Sequence, residues 1–118
     1  MSETLVPVVL NIGALSNGVR AMYKVPTGFG GMTFVAGNIT GSAAGTTSLH
    51  LCDLGTAGTS VSSTIATLGS SVYSAGVPKS LTASTVYVAE GHWIGAYETN
   101  VGAAPAITVV SASFLMGK

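Results

Sequence analysis

Glycine and proline interrupt this chain at short, even intervals, and no stretch between them holds a helical period with caps. The breaks cluster at 26–31, 37–45, 55–58, 69–78, 91–95 and 102–105. Val, Thr, Ser and Tyr dominate the runs between them. β-Branched and aromatic residues fit a pleated surface, and short runs of them spaced by turn residues build sandwiches or barrels. The punctuation predicts an all-β chain, an antiparallel two-sheet sandwich of about eight strands, jelly-roll-like. At 118 residues the chain fits a single core.

The expected strands are Leu5–Ile12, Val19–Val25, Met32–Ile39, Ser48–Leu54, Ser60–Leu68, Thr85–Ala89, Trp93–Thr99 and Ala106–Met116. Alternation assigns their faces. Val19, Ala21, Tyr23 and Val25 point one way; Arg20, Met22 and Lys24 point the other. Met32, Phe34 and Ala36 share a face, as do Leu49 and Leu51, with His50 and Cys52 opposite. Val110, Ala112, Phe114 and Met116 form the apolar face of the last strand. Asn17-Gly18 is a tight-turn signal and predicts that the first two strands pair as a hairpin. Pro7 places the first strand at a sheet edge, because proline cannot donate to a ladder. The segment "PKSLTAST" reads as one helical turn or a short crossing. Residues 1–18 form an N-terminal strand or arm that serves the sheet or a neighbour; residues 19–118 form the sandwich.

Composition limits the function. Charged side chains make up 7% of the chain, four of each sign, and mean hydropathy is +0.60. An ordinary soluble domain carries about 25%. Zero net charge leaves no electrostatic footprint for nucleic acid or an anionic membrane. The longest apolar run, "LVPVVL", is far below the ~18 residues of a membrane helix. No Lys or Arg precedes Arg20, so a basic signal-peptide start is missing, and assembly in a cytosol is expected. One cysteine excludes an internal disulfide framework. Gly, Ala, Ser and Thr make up about half the chain. Their hydroxyls cost less to dehydrate than ammonium or carboxylate groups, so such a surface is suited to being covered.

Chemical motifs are sparse. His50, Cys52 and Asp53, with Glu90 and His92 elsewhere, are possible metal ligands, but two ligands on one strand face do not define a site. A packed Cys and a surface His is the simpler reading. No GxSxG elbow is present, and Glu90 and Glu98 are poorly spaced to flank one bond. The expectation is no enzyme activity, no metal and no cofactor. The "TGFGG" glycines lack a following helix to focus their amides on a phosphate, so they read as turns. Trp93 and Tyr97 lie four apart on one strand, as a sugar-stacking or interface platform or as core. Arg20 and Lys24 share a face that meets an acidic partner or solvent.

The stretches "HLCDLGTAGTSVSSTIATLGSSVYSAG" and "VYVAEGHWIGAYETNVGAAPAITVVSASFLMGK" resemble small virion proteins of tailed bacteriophages, above all the capsid decoration, or cement, proteins. The likeness runs from Val19 onward and lies in pattern, so it carries over no site residue. It implies a protein made in the host cytoplasm that binds the exterior of the expanded head and bridges major capsid protein subunits. A homo-oligomer, dimer or trimer, fits that role. Leu5, Val6, Val8 and Leu10 on the arm, Arg20 and Lys24, and Trp93 and Tyr97 are the expected interface residues. A tail, neck or head-fibre part, or a carbohydrate-binding module, is the alternative.

Overall fold

A computed structural model describes residues 4–13, 18–28, 30–42, 45–73, 76–83, 86–99 and 108–116. The strands are β1 (Thr4–Asn11), β2 (Gly18–Lys24), β3 (Met32–Gly41), β4 (Gly45–Asp53), β5 (Ser63–Tyr73), β6 (Lys79–Ser80), β7 (Thr82–Ala83), β8 (Tyr87–Val88), β9 (Trp93–Thr99) and β10 (Thr108–Met116). The first sheet runs β1-β10-β3-β6, with β8 also on β3; the second runs β2-β9-β4-β5-β7. All pairings are antiparallel. The first strand lies beside the last, and the second beside the ninth. That wrapping gives the sandwich its jelly-roll-like order.

The expected eight strands each have a counterpart, and "PKSLTAST" supplies β6 and β7 in place of a helical turn. Thr85, Ala106 and Asn17 lie outside the described residues. β1 and β2 do not form a hairpin; they lie in opposite sheets. The segment between Asn11 and Gly18 is long enough to cross the ~10 Å between packed sheets, so a turn signal there does not enforce a two-residue loop. β1 is an edge strand, as Pro7 requires. It is no free arm: it pairs with β10 from Thr4 to Asn11, and Val8 and Leu10 are buried in the core.

The core joins inward residues of both sheets. Val8, Leu10, Phe34, Ile39, Val110 and Phe114 come from the first; Leu49, Leu51, Ile65, Ile94 and Ala96 come from the second. Phe34 and Phe114 meet edge to face at 5.5 Å. Burying each large apolar side chain contributes about 1.5–3 kcal/mol.

β-Bulges overturn two of the expected faces. On β3 the register shifts so that Phe34 faces Phe114 and Ala36 faces Ser113, leaving Val35 as the extra residue. Met32 and Phe34 point inward, but Ala36 is exposed beside Val35. On β2 the extra residue is Met22. Arg20 therefore pairs across from buried Ala96, while Lys24 pairs across from Trp93 on the outer side, so the two cations do not share a face. Val19 lies opposite Tyr97 outside, and Tyr23 opposite buried Ile94 inside. One extra residue inverts every later side chain, which simple alternation cannot register.

Candidate functional site

The two outer faces differ in kind. On the first sheet, β1, β3 and β10 contain no ionisable side chain. Leu5, Val9 and Val35 are 58%, 64% and 52% exposed. Pro7 and Ala36 are exposed with them. Ser111 and Ser113 lie between these rows, opposite Val9 and Pro7 on one side and Asn38 and Ala36 on the other. The small side chains leave a trough of about 470 Å³ between Pro7 and Val9 on β1 and Ala36, Asn38 and Ser80 beyond. Exposed apolar side chains thus flank a neutral trough floored by serines on this face.

On the second sheet, the His50 and Tyr97 rings stack at 5.8 Å and 28°. With Val19, Thr64 and the loop Thr59–Ser60–Val61 they line a groove of about 420 Å³. Its size is in the range of small-ligand sites. Trp93 is half-buried, with the Lys24 ammonium 6.0 Å from its ring centroid. It lies four positions from Tyr97 along β9, about 13 Å. Tyr97 is thus paired with His50 and Trp93 with Lys24, and Trp93 is not core.

Several other polar groups among the described residues bond within the fold. Glu98 is fully buried, and Arg20 Nε lies 3.7 Å from its Oε2. Arg20 also donates through Nη1 to the Ile12 carbonyl at 2.6 Å. This arginine sits on β2 and ties the edge of the second sheet to the end of β1. Asp53 accepts from the Gly55 amide at 2.8 Å and sits 3.0 Å from His92 Nδ1. Cys52 is buried, its Sγ 3.6 Å from the His50 carbonyl it donates to. Among the described residues no three His, Cys, Asp or Glu side chains gather to hold a metal. Glu90 and Glu98 do not converge either: Glu98 is inside the sandwich and Glu90 lies at the glycine loop.

That loop corrects another expectation. The amides of Gly28 and Gly30 do converge without a helix, but on the chain's own Glu90 Oε2, at 3.0 and 2.8 Å. Gly31 follows with φ 87°, and a Cβ there would lie 2.6 Å from the Val88 carbonyl, so only glycine fits. Phe29 lies outside the described residues.

Of the expected interface residues, Leu5 is exposed on the first face, Val6 is half-buried, and Val8 and Leu10 are core. Arg20 is turned inward, and Lys24, Trp93 and Tyr97 lie on the second face. Sequence reading did not name Val9 or Val35, and it named His50 as a possible metal ligand or a surface residue without its ring partner. The lack of charge in β1, β3 and β10 is legible in the sequence, but only strand order places those strands side by side. Among the described residues no helix is long and apolar enough to cross a membrane. Comparison with protein families, with curated proteins and with solved structures returns no match.

Proposed function

We propose that this chain is a structural virion protein that decorates the exterior of a phage head and bridges neighbouring major capsid protein subunits. The observation that carries the reading is the outer face of the first sheet, three adjacent strands without one ionisable side chain and with Leu5, Val9 and Val35 uncovered. Covering such a face releases apolar surface from water and strips no charge of its hydration. A stable contact needs on the order of 800 Å² per partner, which a flat neutral sheet can provide. Binding the expanded lattice alone stabilises that state by linkage. Shape and area do this work, and no reacting group is required.

The test uses the major capsid protein encoded in the same gene neighbourhood, with this protein synthesised in the host cytoplasm. The protein co-sediments with expanded heads, spares unexpanded ones and raises the melting temperature of the heads. Val35→Lys abolishes binding while the purified variant melts as the parent does. A neighbourhood with no capsid gene, or a Val35→Lys variant that binds heads normally, overturns the reading. Co-sedimentation with tails alone reassigns the chain to a tail, neck or fibre role.

The second-sheet groove favours one other reading, a carbohydrate-binding module. The stacked His50–Tyr97 wall offers an apolar ring face, and Thr59, Ser60 and Thr64 offer hydroxyls without charge. On this reading the isolated protein binds neutral glycans, Tyr97→Ala abolishes binding and Trp93→Ala does not. Equal loss in both variants excludes the groove as the sugar site.

A further inference from the structure

We infer that β1 is a self-pairing edge through which two copies of this chain join antiparallel, running the first sheet of one into the first sheet of the other. The inference goes beyond the capsid reading and stands without it.

The direction of the free backbone groups follows from one bond and the register. The Ile12 amide donates to the Thr108 carbonyl at 2.8 Å. β1 pairs with β10 in unbroken register, Leu10 with Val110 and Val8 with Ala112. In an antiparallel ladder the bonded pairs alternate, so the even residues of β1 are bonded to β10. Leu5, Pro7, Val9 and Asn11 turn their backbone groups toward the open edge. Pro7 agrees independently, since at an even position it would break the ladder with β10.

Among the described residues the other borders carry features that keep an edge from pairing, β5 included, whose ladder with β4 shifts register twice. β6, β7 and β8 are two residues long, and β6 carries Lys79. β2 carries Arg20, Lys24 and the Met22 bulge. Short strands, cations and bulges are the devices that keep edges from pairing. β1 is eight residues long, neutral and in even register, with Pro7 as its single interruption.

Pro7 also selects the partner. With the two-fold axis at Val8, Leu5 pairs with Asn11 of the second copy and Pro7 with its Val9. Every amide on the open edge, those of Leu5, Val9 and Asn11, then meets a carbonyl. An axis at Pro7 leaves the central pair with no amide at all, and an axis at Val9 sets Leu5 against Gly13, beyond the strand. The strand is self-complementary in one register. In that register the exposed Pro7 and Val9 side chains of both copies gather about the axis on the outer face. No like charges meet there, because β1 has none. A two-fold contact of this kind closes on itself and does not propagate into a fibre through the same edge.

The experiment uses the purified full chain, without heads, so failure here is separable from failure of the capsid reading. Sedimentation equilibrium finds a dimer at micromolar concentration. Val9→Lys weakens association roughly a hundredfold or more by setting like charges beside the axis. Its melting curve stays that of a folded chain, because the side chain is exposed and the amide lies outside the β10 ladder. Leu5→Cys with Asn11→Cys forms a covalent dimer on oxidation, since directly bonded pairs sit about 5.5 Å apart at Cα, within disulfide reach. Val9→Cys alone does not cross-link. A monomer at every concentration up to about a millimolar overturns the inference. So does a dimer indifferent to Val9→Lys, one cross-linked through Val9→Cys and not through Leu5→Cys with Asn11→Cys, or a monomer whose β1 is covered by a different protein.

Discussion

The two sheets share a core and differ in what they do with polarity. The main strands of the first sheet carry no ionisable group, and their outer face leaves valines and a leucine in water. The second sheet holds Arg20, Lys24, His50, Asp53 and Glu98 on β2, β4 and β9, and directs most of them at one another or at the backbone. Arg20 meets Glu98 and Ile12, and Asp53 meets Gly55 and His92. Among the described residues, most of the charge on the second sheet is engaged within the fold, while the outer face of the first sheet is neutral and exposes Leu5, Val9 and Val35.

The largest test of that contrast is a pair of glycines. At Gly95 on β9 an added Cβ would lie 1.8 Å from the Arg20 carbonyl oxygen, because the Met22 bulge presses β2 against it. Gly95→Ala has to displace that backbone, so it destabilises by about 4 kcal/mol or more. At Gly37 on β3 the nearest atom is the Ser111 carbonyl oxygen at 3.1 Å, with the Phe34 ring at 3.3 Å. Those neighbours yield with small shifts, and the lower entropy of the unfolded alanine chain offsets part of the strain. Gly37→Ala changes stability by no more than about 1 kcal/mol. Denaturant midpoints of the two variants check both, and equal costs would show that the second sheet is no tighter than the first.

Arg20→Ala comes next. It leaves the Glu98 carboxylate inside the sandwich without its guanidinium, at a cost of about 3 kcal/mol, since breaking half of a buried pair is worse than losing both. Arg20→Met combined with Glu98→Leu recovers most of that loss. Urea titration of the three variants decides it. A double variant as weak as the single one would mean that the arginine matters for its bond to Ile12, which ties the sheets, more than for charge.

The same residues show what could be read in advance. Strand positions, the edge status of β1 and the apolar face of β10 follow from alternation and from Pro7, because those signals are local. The faces of Arg20, Ala36 and Tyr23 do not, because bulges at Met22 and Val35 depend on how neighbouring strands fit. The glycine-loop amides found an anion 60 residues away in Glu90, a contact no spacing encodes. His50 read as a surface or interfacial residue before a ligand, but its stacking on Tyr97 could not be read, because that requires β4 to lie beside β9.

Cys52 supplies a smaller effect, by pH. Burial pushes its thiol from 9.0 up to about 11; a hydrogen bond with Thr64 opposes the rise and the Asp53 charge adds to it. The folded chain keeps a proton that the unfolded chain releases. That contribution is complete below pH 9 and declines as pH rises toward 11, by about 1 kcal/mol at pH 10. Urea midpoints measured from pH 8 to 10.5 fall less steeply for Cys52→Ala than for the parent. Parallel curves would place the thiol in contact with water.

Val35→Ser carries the smallest expected effect and tests the first sheet most directly. Val35 is the extra residue of the β3 bulge and is half exposed on the outer face of the first sheet. A serine there keeps the backbone path and removes apolar surface of which folding buries only about half. Stability should move by less than about 0.5 kcal/mol, as for exposed positions generally, while binding to heads weakens by more than the fold does. A thermal melt and a sedimentation assay on one preparation separate the two readouts. If the melt drops by several degrees instead, Val35 holds the bulge in place, and the bare face is part of how the sandwich stands and not a surface reserved for a partner.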